Sequence, residues 1–206
     1  LSDEVAASLG RDNRRSLTKL AALLHDIGKP ACREVNPDTG RITFYGHDEK
    51  GAGLIGEVAE RLKMSNRDRD FLTLLIAEHL HLFDLARHGV KPSTKMRWFR
   101  KMQDDAIPSV IIGMSDVKST LGPDSSPEER DNFIGWSKET IRNYYNVISK
   151  RLERRDLITG RDLIALGMEP GPEMGRILEQ IRSAQDTGEV HSSEEALAMA
   201  REWLSK

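Results

Sequence analysis

Apolar residues recur at helical spacing along nearly the whole chain, and glycine and proline interrupt the pattern at short intervals. Leu17, Leu20, Ala21 and Leu24, for example, fall at i, i+3, i+4 and i+7, which places them on one helix face. Helices of this kind bury one stripe each by packing on one another, so the pattern predicts an all-α protein. Residues 33–45 are the exception, since they predict either a short hairpin or an ordered loop.

Helix boundaries follow from capping residues. Ser65 is predicted to cap a helix that runs through His81. Ser93 is predicted to cap the next helix, and Pro108 to open the one after it. Ser126, followed by a proline and two glutamates, indicates a further helix start.

A break at residues 122–126 (GPDSS) divides the chain into two predicted parts. Residues 1–122 are expected to form a helical bundle. Residues 123–206 are expected to form a smaller helical tail, with breaks at 167–172 and 187–188 that separate three short helices.

Composition excludes several classes of protein. No segment approaches the ~20 apolar residues that span a bilayer, so no membrane association is predicted. The lone Cys32 excludes an internal disulfide framework and indicates a cytoplasmic setting. With a net charge of −2, contact with nucleic acid would depend on local basic clusters, which could equally be solvated helix faces. The candidates are residues 97–101 and the group Lys150, Arg151, Arg154 and Arg155.

The strongest chemical signal is the run LLHDIGKP at residues 23–30. His25 directly precedes Asp26 at the end of an apolar helix, just before Gly28. The pair brings a nitrogen and an oxygen ligand to one point, which is typical of a divalent-metal site. A helix-capping pair is the alternative.

Three further residues in separate segments fit such a site. His47 precedes a carboxylate after Gly46, His79 lies on the apolar face of its helix, and Asp116 interrupts an apolar run. Each has an alternative: His47 could cap a helix, His79 could be a hydrogen-bonded core residue, and Asp116 could pair with an arginine. Their joint occurrence predicts one metal cage, because a buried carboxylate is costly unless it is paired or ligated.

These motifs resemble the HD superfamily of metal-dependent phosphohydrolases. More narrowly, they are similar to the HD domain attached to bacterial tRNA nucleotidyltransferases and related poly(A) polymerases. The tail supports the narrower resemblance, since residues 157–163 (LITGRDL) and 166–172 (LGMEPGP) resemble the C-terminal helical region of those enzymes. The expected architecture is therefore an HD-domain helical bundle followed by a helical tail.

The resemblance implies hydrolysis of phosphomonoesters or 2′,3′-cyclic phosphates, with RNA such as tRNA, or a nucleotide, as the partner. His25, Asp26 and Lys29 would be catalytic. A divalent ion (Mg, Mn, Ni or similar) would lie on His25, Asp26 and Asp116. His47 and His79 would bind a second ion or contact the substrate phosphate, and Lys29 and Arg33 would contact that phosphate as positive charges.

Two departures from the family pattern qualify this expectation. Residues 1–24 contain no histidine, although HD domains of this type usually offer one there. The chain also has no Gly-Gly and no nucleotidyltransferase palm signature, and it begins at Leu1, so it is expected to be a fragment that does not itself add nucleotides. Two alternatives remain: a non-catalytic RNA-binding body for an upstream nucleotidyltransferase domain, and a stand-alone HD nucleotide hydrolase or regulator. The sequence leaves the oligomeric state open.

Overall fold

The protein is mainly helical in the computed structural model, which describes residues 2–11, 13–120 and 126–204. Helices account for 73% of it, and the sheet found among the described residues has two strands, which confirms the all-α prediction. The α-helices are α1 Ser2–Leu9, α2 Arg14–Leu24, α3 His47–Arg61, α4 Asn66–Glu78, α5 His81–Leu85, α6 Pro92–Met102, α7 Ala106–Ser119, α8 Pro127–Asn143, α9 Ser149–Leu152, α10 Gly160–Ala165, α11 Pro172–Thr187 and α12 Ser193–Leu204. Short 3₁₀ helices lie at Lys29–Cys32 and Gln103–Asp105, and a π-helical turn lies at Tyr144–Ile148.

Two short strands form the hairpin that was predicted as one of two possibilities. Strand β1 (Glu34–Val35) pairs antiparallel with β2 (Ile42–Thr43), and Val35 lies opposite Ile42. The Asn36 side chain accepts hydrogen bonds from the amides of residues 38 and 39, which closes the turn.

The first compact unit consists of the described residues of Leu1–His88 and Met102–Tyr145. Helix α4 packs on α2 and α3, while α7 packs on α2, α5 and α8. Gly113 of α7 permits a close approach, because a β-carbon there would lie 2.9 Å from Leu82 and 3.2 Å from Phe133. The core is aliphatic and includes the fully buried Ile55, Leu72, Leu75, Ile76, Ile107 and Val110. Each such side chain contributes about 1.5–3 kcal/mol through burial.

The second compact unit consists of the described residues of Gly89–Lys101 and Asn146–Lys206. Helices α10, α11 and α12 pack together, as the three-helix prediction for the tail requires. Their core contains Ile158, Leu163, Ile177, Ile181, Ala184, Val190, Ala196 and Ala200. The predicted domain boundary at residue 122 stays a prediction, and residues 122–125 of the predicted break lie outside the described part.

Two predicted helix caps are confirmed. The Ser65 hydroxyl accepts a hydrogen bond from the Asp68 amide at 3.2 Å, and the Ser126 hydroxyl accepts one from the Glu129 amide at 3.3 Å. The predicted helix through His81 is wrong at its end, since α4 stops at Glu78.

Two other predicted starts are wrong by one or two residues. Ser93 is not a cap, because α6 already begins at Pro92, a residue suited to the first helical position. Helix α7 begins at Ala106 rather than at Pro108. Pro108 fits within its first turn because the amide that proline lacks has no helical partner there.

Candidate metal centre

The end of α2 fixes the orientation of the His25 ring. His25 occupies the C-cap position, and its Nδ1–H donates to the Ala22 carbonyl at 2.8 Å. A carbonyl can only accept, so Nδ1 carries the proton and Nε2 presents a lone pair. That Nε2 is buried and has no hydrogen-bond partner. The capping alternative and the ligand prediction are therefore compatible, because each uses a different ring nitrogen.

His47 and His79 repeat this arrangement. The His47 Nδ1–H donates to the Phe44 carbonyl at 2.8 Å, and the His79 Nδ1–H donates to the Ile76 carbonyl at 2.6 Å. In the second case the ring bonds a carbonyl at the end of α4, and the helix stops one residue before His79. Such hydrogen bonds fix the tautomer and orientation of metal-binding histidines.

The outward nitrogens of these two histidines meet. Nε2 of His47 lies 3.2 Å from Nε2 of His79, and both rings are buried. Both Nδ1–H groups are engaged by carbonyls, so in the neutral form of the two rings their Nε2 lone pairs face each other across this gap. A cation between them would replace that repulsion with attraction.

Two carboxylates complete the cluster. Asp26 Oδ1 lies 3.2 Å from His47 Nε2, and Asp26 Oδ2 lies 3.3 Å from His25 Nε2. Asp116 Oδ1 lies 3.5 Å from His25 Nε2. Metal bonds of about 2.0–2.2 Å place neighbouring ligand atoms about 3 Å apart, so these separations suit ligands of one ion. The ligand atoms of Asp26, His47 and His79 all lie within 4.8 Å of one another.

The charges of the cluster are coupled. The Asp116 carboxylate raises the pKa of His25 above its usual range, although burial opposes this, and His25 in turn lowers the pKa of Asp116. Burial lowers the pKa of His79. His79 is therefore neutral near pH 7, which is the state that binds a metal.

Gly28 brings the His25–Asp26 turn against α3. A β-carbon at Gly28 would lie 2.1 Å from the His47 carbonyl oxygen and 2.6 Å from the Gly51 amide nitrogen. The backbone angle φ of Gly28 is −77°, which any residue adopts. Gly28 is therefore needed for close approach of two backbones, and not for the conformation of a helix stop. No local pattern in the sequence indicated this role.

Lys29 and Arg33 differ in their placement. Lys29 Nζ donates to Asp26 Oδ2 at 2.6 Å and lies 5.6 Å from the centre of the Phe44 ring. Arg33 is exposed, and within residues 13–120 no hydrogen bond or ion pair is found between it and the cluster. The structure thus brings together His25, Asp26, Lys29, His47, His79 and Asp116, while their roles stay predictions.

The basic clusters predicted as RNA contacts are partly internal to the second unit. Arg100 forms a bidentate pair with the buried Asp186, with Nε 2.7 Å from Oδ2. Arg151 donates to the Asp186 carbonyl at 2.7 Å, and Arg97 pairs with Glu179 at 3.2 Å. The remaining exposed basic residues of the two clusters are Lys101, Lys150, Arg154 and Arg155.

No helix in the described ranges has both the length and the apolar character needed to cross a bilayer.

Two protein families match the chain. The HD domain family matches residues 1–120, and the family described as tRNA nucleotidyltransferase domain 2, putative, matches residues 136–200. No solved structure matches the chain significantly.

Curated relatives match most of the chain. It is 32% identical to the CC-adding tRNA nucleotidyltransferase of Thermus thermophilus over 90% of its own length, and 29% identical to the A-adding tRNA nucleotidyltransferase of Deinococcus radiodurans over 92%. It covers 39% and 42% of these two relatives. The Multifunctional CCA protein of Actinobacillus pleuropneumoniae is 32% identical over 40% of the chain, and 18% of that relative is covered.

The resemblance that the motifs predicted is therefore confirmed for both parts of the sequence. The candidate metal centre lies within residues 1–120, which the first family covers, and the second family covers residues 136–200 of the predicted tail. Since the first match covers more than half of the sequence, the chain belongs to the HD domain family.

Proposed function

We propose that this chain is a metal-dependent phosphohydrolase that acts on phosphomonoesters or 2′,3′-cyclic phosphates. The observation that carries the proposal is the grouping of Asp26, His47 and His79, which His25 and Asp116 extend, and in which the buried His25 Nε2 has no hydrogen-bond partner. Three imidazoles with two carboxylates form a mixed donor set that suits Mn, Fe, Co, Ni or Zn better than Mg.

A bound divalent ion would polarise a phosphoryl oxygen and lower the pKa of a water molecule. The residues of the chain would do the rest. His25, His47, His79 and Asp26 would hold the ion, and the carboxylate of Asp116, with its lowered pKa, would remain ionised beside it. The Lys29 ammonium would contact a phosphate oxygen as a point charge. A phosphate contact by Arg33 stays a prediction.

Metal content and hydrolysis test the proposal together. The chain purified without chelator is expected to hold a divalent ion and to hydrolyse 2′,3′-cyclic AMP and p-nitrophenyl phosphate when Mn²⁺ or Ni²⁺ is added. His79→Ala and Asp26→Ala are expected to lose both properties. His88→Ala is the matched control, because His88 is an exposed histidine of the same unit. Hydrolysis that persists in Asp26→Ala would contradict the proposal.

A second candidate is a non-catalytic RNA-binding body for an upstream nucleotidyltransferase domain. It is favoured by the family match over residues 136–200 and by the fact that the chain spans about two fifths of its tRNA nucleotidyltransferase relatives. In that case a tRNA is the partner, and the exposed Lys150, Arg154 and Arg155 are its candidate contacts. The cytoplasmic setting stays a prediction.

A salt series distinguishes the two candidates. Binding of tRNA is expected to weaken steeply with salt, and Arg154→Ala is expected to reduce the slope of log K against log salt by roughly one unit or less. Binding that does not depend on salt would contradict the RNA-binding candidate. Cluster variants such as His79→Ala are expected to leave tRNA binding unchanged, so failure of one proposal is separable from failure of the other.

A further inference from the structure

We propose that Lys29 sets the affinity of the cluster for its divalent ion, by reserving one oxygen of Asp26 and offsetting part of the negative charge that faces the ion. The inference rests on the proposed metal site. It assigns Lys29 a role in metal binding in addition to contact with phosphate, and the two roles predict effects of opposite sign.

The two oxygens of Asp26 have different partners. Lys29 Nζ donates to Oδ2 at 2.6 Å, whereas Oδ1 faces His47 Nε2 at 3.2 Å. Oδ2 also lies 3.3 Å from His25 Nε2, but the ammonium competes for its lone pairs, so Oδ1 is the oxygen that is freer to ligate the ion. The lysine therefore favours ligation through one oxygen over a bidentate carboxylate, and it keeps Asp26 in one orientation.

The backbone holds Lys29 in this place. Its amide donates to the Asp26 carbonyl at 3.0 Å, and it opens the 3₁₀ helix Lys29–Cys32, whose second residue is Pro30. On its other side the ammonium lies 5.6 Å from the centre of the Phe44 ring, at cation–π distance. An ammonium has three donors, so one hydrogen bond to Asp26 leaves others for a phosphate oxygen.

The charge balance gives the direction of the effect. The cluster has two carboxylates, Asp26 and Asp116, and Lys29 offsets one of them. An ion ligated by Oδ1 would lie within a few ångströms of the Lys29 ammonium, where two positive charges repel appreciably. Because the Lys29 side chain is 38% exposed, water screens this repulsion, and removing the charge is expected to tighten ion binding about tenfold.

The test compares metal affinity in variants of the full chain by titration calorimetry with Mn²⁺ and Ni²⁺. Lys29→Met removes the charge but keeps an unbranched stem, and it is expected to bind either ion about tenfold more tightly than the unchanged chain. Lys29→Arg keeps the charge and is expected to bind as the unchanged chain does. Lys50→Met is the matched control, because Lys50 is an exposed lysine in the first turns of α3, three residues after His47.

Inorganic phosphate supplies the second measurement. The metal-loaded Lys29→Met chain is expected to bind phosphate several-fold more weakly than the unchanged chain. The same substitution thus tightens binding of the ion and weakens binding of phosphate. If Lys29 had a purely structural role, the substitution would weaken binding of both the ion and phosphate.

Three results would overturn the inference. Equal or weaker ion binding by a folded Lys29→Met chain would show that Lys29 only orients Asp26. Equal tightening in Lys50→Met would show a general effect of net charge. Absence of ion binding by the unchanged chain would overturn the proposed metal site, and the inference with it. Lys29→Gln, which stays polar, is expected to repeat the result of Lys29→Met if that variant folds poorly.

Discussion

Replacing Gly28 by alanine is expected to destabilise the first unit and to weaken its metal site. The added β-carbon would lie 2.1 Å from the carbonyl oxygen of His47, whereas real β-carbons essentially never approach closer than 3.0 Å. The backbones at Gly28 and at the start of α3 must therefore separate by about 1 Å. Both sides of the contact are backbone, so no side chain can rotate away.

The magnitude follows from two opposing effects. Forcing an extra methyl group into a packed core costs about 1–3 kcal/mol, and a backbone contact belongs at the upper end of that range. Alanine restricts the unfolded chain more than glycine does, which returns about 0.4–1 kcal/mol. The packing cost prevails, and the free energy of unfolding is expected to fall by about 2 kcal/mol.

The metal site should respond more sharply. The same separation moves Asp26 away from His47 by about 1 Å, several times the ~0.2 Å within which metal–ligand distances are held. Affinity for Mn²⁺ or Ni²⁺ is expected to fall at least about tenfold. Urea unfolding followed by circular dichroism, together with calorimetric titration of the ion, measures both effects.

Two other glycines of α3 serve as controls. Gly56→Ala places its β-carbon in open space and is expected to stabilise the helix by about 0.5–1 kcal/mol. Gly51→Ala would meet Ile76 Cγ2 at 3.2 Å, a side-chain atom that can shift, and is expected to fall between the other two variants. If the free energy of unfolding of Gly28→Ala lies within about 0.5 kcal/mol of that of the unchanged chain and the ion affinity is kept, the close approach is not required for this site.

Three further predictions concern stability, each measured by urea unfolding. Ser65→Ala is expected to cost about 1 kcal/mol because it removes the cap of α4, and Ser65→Asp to restore most of it; equal losses in both would contradict the capping role. Asp186→Ala is expected to cost about 3–5 kcal/mol because Arg100 loses its buried partner, and the double variant with Arg100→Met to cost less than the sum of the two. Burial raises the pKa of Asp105 despite the neighbouring Arg14. This raised pKa contributes stability that is present below pH 3.8, the usual value of an aspartate, and is lost as pH rises through the folded-state pKa. The free energy of unfolding of Asp105→Asn, relative to that of the unchanged chain, should therefore increase between about pH 4 and 7.

The sequence predicted much of the candidate metal centre because its residues violate local patterns. His79 and Asp116 interrupt apolar helix faces, where a polar group is costly without a partner. His25 and Asp26 are adjacent, so they needed no tertiary information to be paired. The structure brings all of them together with His47, and their roles await the experiments above.

Other features had no local signal. The end of α4 coincides with a hydrogen bond from the His79 ring to the Ile76 carbonyl, which hydrophobic periodicity does not report. Arg100 was predicted as part of a basic surface, yet it pairs with Asp186, 86 residues away. Sequence periodicity carries no information about partners at that separation.

The sequence by itself determined the helical class, two of the helix caps and the set of candidate ligands, because periodicity, capping chemistry and ligand type are local properties. Tertiary structure alone decided that the Nε2 atoms of His47 and His79 meet, that Asp26 Oδ1 faces His47, and why residue 28 has no side chain. Each of these depends on distances between segments that are remote along the chain. Such distances are set by how α2, α3, α4 and α7 pack, and packing is a property of the whole unit.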